Sequence, residues 1–269
     1  MSVPNVAGMT NHFAHVVRGS GPGLLLAHGA GGSVEGNFGG ILDDLARTHT
    51  VVGPDYPGSG ATPRSTEPLD LDTVADELVS IAVDAGLERF AILGYSLGTG
   101  VAVRAATRHP DRVTGLILTA GLAKPDNRLL LALDIWRELL DGDRRLVAKF
   151  ATFAATGGKH LNALSPSELE AAIDGLAGFI PDGSPEQVDL AASVDTSAEL
   201  AGISVPTLVV ATTLDGLVPP THSRELAAGI PGAELVEIEA GHGIGVEARD
   251  EWLGVIEKFL SAGVGEGTN

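Results

Sequence analysis

The pentapeptide Gly-Tyr-Ser-Leu-Gly occupies residues 94–98, between the apolar run Phe90–Leu93 and a helical pattern that begins at Leu97. A serine between glycines at a strand-to-helix junction is typical of a nucleophile elbow, a strained turn that exposes the serine hydroxyl at the end of a strand. Any side chain at positions 94 or 98 would collide with neighbouring backbone. Because the chain contains 36 glycines, chance alone produces such patterns, so the assignment depends on the flanking elements and on partners elsewhere in the chain.

Short apolar runs alternate with helical patterns through most of the chain. This alternation predicts an α/β fold, in which helices cover both faces of a mostly parallel, doubly wound sheet. The predicted strands are Thr10–Val17, Leu24–Ala27, Thr50–Gly53, Phe90–Leu93, Val113–Leu118, Thr207–Ala211 and Leu235–Ile238. The predicted helices between them are Phe38–Arg47, Leu71–Ala85, Leu97–Arg108, Ser223–Ala228 and Asp250–Leu260. Ligands of such sheets bind at the carboxyl ends of the strands, so we expect the functional residues there.

The interval from about residue 122 to residue 200 departs from this alternation. It contains helical patterns at Leu129–Leu140, Arg145–Ala155 and Ser167–Leu176, and no convincing strand pattern. We therefore expect residues 1–121 and 201–269 to form the sheet domain. Residues 122–200 are expected to form a helical cap, or lid, over its ligand-binding edge. A long crossover connection is the alternative.

His242 is the best candidate for the base that a serine nucleophile requires. It follows the predicted strand Leu235–Ile238 on a glycine-flanked loop, and therefore lies at a carboxyl end. Asp215 follows the predicted strand Thr207–Ala211 at the same edge, and we expect it to hold the imidazole. Asp126, one strand earlier, is the competing acid. A turn or helix-capping role is the alternative for Asp215.

The glycine-rich segment His28-Gly29-Ala30-Gly31-Gly32 follows the predicted strand Leu24–Ala27. Its glycines leave backbone N–H groups free to approach a substrate. We expect the N–H groups of Ala30 and Leu97 to stabilise the oxyanion of a tetrahedral intermediate. His28 itself is expected to be structural.

Five further residues are predicted to contact substrate. Gly29 lies in the glycine-rich segment and Tyr95 in the elbow, whereas three aromatic side chains lie in the expected cap: Trp136, Phe150 and Phe153. These three either line an apolar pocket or pack the cap helices together.

Composition narrows the functional classes. The formal net charge of −18 would repel a polyanion, so we expect no nucleic-acid partner. The absence of cysteine excludes disulfides, thiolate metal ligands and a cysteine nucleophile. No apolar run reaches the roughly 18 residues that span a membrane, and the first residues show no secretory signal. We therefore expect a cytoplasmic protein without a membrane partner. The sequence does not indicate an oligomeric state.

Together these segments resemble the α/β-hydrolase family across essentially the whole chain, in the family's order of serine, aspartate and histidine. The loops at residues 28–32 and 55–60 and the segment Asp215–Pro219 contribute to this resemblance. The resemblance implies an eight-stranded sheet with a helical cap after its sixth strand, and neither a metal nor an organic cofactor. Cofactor-free haloperoxidases, esterases and enol-lactone hydrolases look closest. Serine at position 96 argues against the dehalogenases and epoxide hydrolases, which carry aspartate there.

These residues favour a serine hydrolase that cleaves a carboxylic ester, lactone or thioester of a small, mostly apolar molecule through an acyl-enzyme. Two alternatives belong to other classes. One is a biosynthetic lyase, cyclase or acyltransferase that reuses the same residues. The other is a ligand-binding or signalling protein on the same fold with very slow turnover.

Overall fold

The computed structural model of the protein describes residues 13–262. Seven strands lie in this range: β1 (His15–Arg18), β2 (Gly23–Ala27), β3 (Thr50–Pro54), β4 (Phe90–Tyr95), β5 (Val113–Thr119), β6 (Thr207–Thr212) and β7 (Glu234–Ile238). They pair into a single sheet in the order β1-β3-β2-β4-β5-β6-β7. The first strand is antiparallel to β3, and the other neighbouring pairs are parallel. The fold is therefore a mostly parallel α/β sheet, as the sequence predicted.

Helices connect the parallel strands and cover the sheet. Six of them are α1 (Val34–Leu45), α2 (Leu71–Asp84), α3 (Leu97–Arg108), α9 (Pro220–Gly229), α10 (Ile244–Glu247) and α11 (Arg249–Ser261). Between β5 and β6 lie five more: α4 (Asn127–Leu139), α5 (Arg144–Ala155), α6 (Gly158–Ala163), α7 (Pro166–Phe179) and α8 (Ser184–Ser193). We refer to residues 122–200 as the insert. Across residues 13–262, no helix combines the length and the apolar character that crossing a bilayer requires.

The sheet separates two layers of apolar packing. Strands β2, β4, β5 and β6 are buried along their whole length, which explains their almost uninterrupted apolar sequence. Since side chains alternate between the faces of a strand, Leu25 packs in the layer of α2 and α3, and Leu24 in that of α1 and α11. Trp252 of α11 is fully buried in the second layer. Its Nε1–H donates to Oγ1 of Thr119 on β5 at 3.0 Å.

The sheet has one strand fewer than the family resemblance implied, and the expectation of eight strands is corrected to seven for the described range. Each apolar run identified in the sequence contributes a strand, although residues 10–12 of the first run lie outside the described residues. Pairing of that run begins at His15. Strand β1 forms one edge of the sheet, and no described segment pairs with its outer side. The eighth strand therefore has no counterpart in residues 13–262.

In the turn from β4 to α3, two glycines lie very close to the carbonyl oxygens of neighbouring backbone. Ser96 adopts φ 55° and ψ −122°, a conformation that costs a residue with a side chain about 1–3 kcal/mol. Its N–H donates to the carbonyl oxygen of Thr119 on β5 at 3.0 Å. A Cβ at Gly98 would lie 1.9 Å from the carbonyl oxygen of Ala27 at the end of β2, and one at Gly94 would lie 2.5 Å from that of Gly98. Helix α3 therefore begins against the end of β2, where only glycine fits.

Two glycine-to-alanine substitutions should have opposite effects on stability. Gly98→Ala is expected to lower the free energy of unfolding by about 3 kcal/mol, because its Cβ would meet fixed backbone on β2. Gly254→Ala lies on α11, where nothing stands within 4 Å of the added Cβ, and should raise the free energy of unfolding by up to about 1 kcal/mol. Urea unfolding followed by circular dichroism measures both. Equal effects of the two substitutions would contradict the packing described for the turn.

Candidate active site

Three side chains from three strand ends meet at the carboxyl edge of the sheet. Nε2 of His242 lies 3.0 Å from Oγ of Ser96, and Nδ1 of His242 lies 2.7 Å from Oδ2 of Asp215. Ser96 follows β4, Asp215 lies beyond β6 and His242 lies beyond β7. These are the three residues selected from the sequence as nucleophile, acid and base, and both contacts are within hydrogen-bonding distance.

The Asp215 side chain is completely buried, and its two oxygens accept from several donors. Oδ1 accepts from the N–H groups of Leu217 and Val218 at 2.9 and 2.8 Å, and Oδ2 accepts from Oγ1 of Thr212 at 3.0 Å. These bonds fix the orientation of the carboxylate toward the imidazole. A carboxylate only accepts, so Nδ1 of His242 carries the proton and Nε2 is left to accept from the Ser96 hydroxyl.

Tyr95 supports the His242 loop from the elbow. Its hydroxyl donates to the carbonyl oxygen of His242, and the centroids of the two rings are 5.1 Å apart. Burial raises the pKa of Tyr95, and the carboxylates of Asp215 and Glu247 raise it further. The hydroxyl therefore remains a neutral donor. Tyr95, predicted from the sequence to contact substrate, lines the cavity described below and also positions the imidazole loop.

Asp126, the competing acid, lies elsewhere. Its side chain accepts from the N–H of Leu129 at 2.8 Å and caps α4. The histidine beside it is His222, with 3.6 Å between Nε2 and Oδ2. The helix-capping role that was the alternative for Asp215 thus belongs to Asp126.

The loop after β2 places backbone N–H groups beside Ser96. Ala30 and Leu97, the two residues selected as oxyanion donors, line a small cavity together with Ser96. Within residues 13–262, neither N–H has a protein acceptor. Leu97 is the first residue of α3, where no acceptor exists inside the helix. Both N–H groups are therefore free to donate to an oxygen held at Ser96.

Gln187 of α8 fixes this loop from the insert, and sequence reasoning missed it. Its side chain is fully buried. Oε1 accepts from the N–H of Gly31 at 2.9 Å, while Nε2 donates to the carbonyl oxygen of Pro57 and to Oγ of Ser59 at 3.1 and 2.8 Å. Oγ of Ser59 in turn donates to the carbonyl oxygen of Gly32 at 2.6 Å. Gln187, the only glutamine of the chain, thus connects α8 to the loops at residues 31–32 and 57–59.

Two further side chains hold the beginning of the loop. Oδ1 of Asn37 on α1 accepts from the N–H of Gly29 at 2.8 Å. His28 is fully buried and stacks on Tyr56, with ring centroids 3.8 Å apart. Its Nε2 accepts from the N–H of Tyr56 at 2.9 Å, so Nδ1 carries the proton and donates to the carbonyl oxygen of Gly29 at 2.8 Å. Burial lowers the pKa of His28 to about 4, in keeping with a structural role.

A cavity of about 360 Å³ opens over Ser96 and His242, between the sheet edge and the insert. Four of the five predicted substrate-binding residues line it: Gly29, Tyr95, Trp136 and Phe150. Sequence reasoning missed several other lining residues, among them His160, Leu164, Leu176, Val246 and Glu247. Apart from the site residues the lining is mostly apolar. No group of three or more histidine or carboxylate side chains in residues 13–262 is arranged to hold a metal ion.

The structure does not bring Phe153 together with the other four residues predicted to contact substrate. Its side chain is 76% exposed and takes no part in lining the cavity. Helix α5 turns Leu146, Lys149 and Phe153 to solvent, and buries Val147, Ala148 and Ala154 on its other side. Aromatic identity alone did not reveal which face of α5 turns inward.

Glu247 connects the insert to the His242 loop. Its Oε2 accepts from the N–H of Gly241 at 2.9 Å, and its Oε1 accepts from the N–H of Gly157 at 3.1 Å. Gly157 stands between α5 and α6 of the insert, whereas Gly241 directly precedes His242. One carboxylate therefore fixes the distance between the cavity's outer wall and the imidazole.

A comparison with known families identifies the class of this protein. A family model described as alpha/beta hydrolase fold matches residues 22–248. The chain therefore belongs to the α/β-hydrolase family, and it is an α/β-hydrolase enzyme.

Individual relatives agree with this class. Pyrrolizixenacetamide deacetylase of Xenorhabdus hominickii is 30% identical over 92% of this chain and 94% of its own length. Pimeloyl-[acyl-carrier protein] methyl ester esterase of Aeromonas hydrophila is 30% identical over 90% of this chain and 96% of its own. The crystal structure of the enol-lactonase from Burkholderia xenovorans LB400 superposes with a TM-score of 0.82 over 92% of this chain and 96% of that one. At 21% identity, this last likeness shows the fold alone.

Replacing Gln187 by methionine should destabilise the protein despite a similar side-chain volume. The N–H of Gly31, the carbonyl oxygen of Pro57 and the hydroxyl of Ser59 would lose buried partners, so we expect the free energy of unfolding to fall by about 2–3 kcal/mol. Urea unfolding provides the measurement. Asp189→Ala on the same helix removes an exposed charge 3.4 Å from Arg137 and should change stability by less than about 0.5 kcal/mol. If both variants unfold alike, the bonds of Gln187 contribute nothing net to stability.

Stability should depend on pH through His28. The pKa of His28 is about 4 in the folded chain and 6.5 ordinarily, so between these values the unfolded chain binds the additional proton. Its contribution is present in full above pH 6.5 and is lost as the pH falls toward 4, with a slope approaching 1.4 kcal/mol per pH unit. Urea unfolding from pH 7 to pH 5 should show a smaller slope in His28→Asn than in the unsubstituted protein. Identical slopes would mean that His28 is not held neutral by burial.

Proposed function

We propose that this protein is a serine hydrolase that cleaves a carboxylic ester, lactone or thioester of a small, mostly apolar molecule. The observation that carries this proposal is the continuous chain of contacts from Ser96 through His242 to Asp215, at 3.0 and 2.7 Å. A serine hydroxyl becomes an effective nucleophile only when a base accepts its proton. His242 stands at the distance required, and Asp215 fixes its tautomer.

The reaction follows from these contacts. Oγ of Ser96 attacks the carbonyl carbon while its proton passes to Nε2 of His242. The carbonyl oxygen becomes an oxyanion that accepts from the N–H groups of Ala30 and Leu97. His242 then gives its proton to the leaving oxygen or sulfur, the bond to the leaving group breaks, and an acyl-Ser96 remains. Water, deprotonated by His242, attacks this acyl group and releases the carboxylic acid, restoring the Ser96 hydroxyl.

The cavity supports an apolar substrate covered by the insert. Trp136, Phe150, Leu164 and Leu176 contribute apolar surface from the insert, so residues 122–200 act as the cap of the site. Similar proteins are named for cleaving an acetamide and a methyl ester, and both reactions attack a carbonyl carbon. An ester-like small molecule is therefore the substrate class that fits the site, with no cofactor in the reaction.

Substitution of the nucleophile tests the mechanism. Ser96→Ala removes the attacking oxygen, so kcat/KM for p-nitrophenyl acetate should fall by at least about 10³-fold. Ser167→Ala, at an exposed serine of the insert, should retain full activity. Mass spectrometry after a fluorophosphonate probe should locate one adduct on Ser96, and an adduct on another residue would contradict the assignment.

The same assay separates the other two classes. Sustained turnover with release of the free acid supports the hydrolase. Product that appears only when an alcohol or thiol acceptor is added would indicate an acyltransferase. Tight binding with less than one turnover per site would indicate a ligand-binding protein. The latter two outcomes each overturn the proposal.

A further inference from the structure

A second cavity lies directly behind Ser96 and is much smaller than the first. Its volume is about 20 Å³, and it is lined by Ser96 and the two oxyanion residues together with seven apolar side chains: Leu122, Leu129, Leu133, Trp136, Ala191, Leu217 and Val218. Of the seven apolar residues, all except Trp136 are at least nine-tenths buried. A volume of roughly 10–15 Å³ on this measure holds one water molecule, so this space suits one or two carbon atoms. We refer to it as the small pocket.

His242 lines the large cavity and takes no part in lining the small pocket. In the proposed reaction its Nε2 gives a proton to the leaving group, so the leaving group must depart on the side of the large cavity. The carbonyl oxygen points to the N–H groups of Ala30 and Leu97. The remaining substituent of the carbonyl carbon, the acyl chain, is then directed into the small pocket.

We propose that the small pocket restricts the enzyme to acyl groups of two or three carbons, and that the large cavity accepts a bulky apolar leaving group. This inference rests on the proposed function and specifies its substrate class. Longer acyl chains would have to displace side chains packed at the density of a protein core, which is unfavourable. The roughly 360 Å³ on the other side leaves room for an aromatic or alicyclic alcohol, amine or thiol.

Trp136 lines both spaces, as Ala30, Ser96 and Leu217 also do. Its ring lies against Gly31, where an added Cβ would stand 2.6 Å from Cζ2, and Gly31 is held by Gln187 at 2.9 Å. This wall is therefore fixed from the oxyanion loop as well as from α4. A long acyl chain could displace the Trp136 indole only if the loop at residues 28–32 moved as well.

The test compares chain length on the two sides of the carbonyl. For p-nitrophenyl esters, kcat/KM should fall by at least about tenfold from acetate to butyrate and again from butyrate to hexanoate. For acetate esters, 2-naphthyl acetate should react within about threefold of phenyl acetate. Similar values for acetate and octanoate, or rejection of 2-naphthyl acetate together with hydrolysis of long acyl esters, would overturn the proposal.

Two substitutions assign the selectivity to the small pocket. Leu133→Ala should increase the ratio of hexanoate to acetate kcat/KM by at least about tenfold, whereas Leu176→Ala in the large cavity should leave that ratio unchanged. Val218→Ala provides a smaller enlargement of the same pocket if Leu133→Ala does not fold. A ratio that responds to Leu176→Ala alone would place the acyl chain in the large cavity and overturn the proposal.

Labelling of Ser96 distinguishes the two levels of failure. If a fluorophosphonate labels Ser96 and esters turn over without acyl selectivity, the small pocket is not the acyl site and the proposed function stands. If no ester is hydrolysed and Ser96 is not labelled, the proposed function itself fails, and this inference fails with it.

Discussion

The contact of helix α3 with the end of β2 is the constraint on which the site depends. Gly98 lies where any Cβ would stand 1.9 Å from the carbonyl oxygen of Ala27. This approach brings the beginning of α3 next to the loop that follows β2, so Leu97 and Ala30 line one small cavity with Ser96. The same turn holds Ser96 at positive φ, and its hydroxyl lies 3.0 Å from Nε2 of His242. The Ser96 side chain and the two N–H groups proposed as oxyanion donors are therefore positioned by one packing contact.

The insert covers the site and also forms hydrogen bonds with two of its loops. Gln187 accepts from the N–H of Gly31 and so holds the loop at residues 28–32. Glu247 holds Gly157 of the insert next to Gly241, which precedes His242. Both side chains accept hydrogen bonds from backbone N–H groups, which have fixed directions, so the insert cannot shift without disturbing the loop at residues 28–32 and the loop that carries His242. Hydrogen bonds of this kind cost free energy when broken in a buried site. The geometry of the site is thus shared between the sheet and the insert.

The sequence predicted the sheet, and the three residues that it selected for a triad lie together in the structure, because local patterns carry that information. Buried parallel strands leave continuous apolar runs, and the residues selected for chemistry follow them directly. Helix α8 and the role of Gln187 were missed, because a buried glutamine looks like any surface glutamine until its partners, up to 156 positions away, are known. The short helices α6 and α10 span only six and four residues, too few for a periodic signal. Phe153 lies outside the cavity, which its sequence could not show, because the inward face of α5 is set by tertiary packing.

The loops that carry Ser96, Asp215 and His242 and the outer wall of the large cavity come from different parts of the fold. The side that carries Ser96, Asp215 and His242 consists of loops at strand ends, where backbone N–H groups and the buried Asp215 tolerate little change. Much of the outer wall of the large cavity consists of side chains on insert helices, such as Phe150, His160 and Leu176. Substitutions there alter the shape of the cavity without touching the contacts of Ser96 or His242. The shape of the large cavity is therefore free to vary through the insert, while the loops that hold Ser96, Asp215 and His242 stay fixed at the ends of the strands.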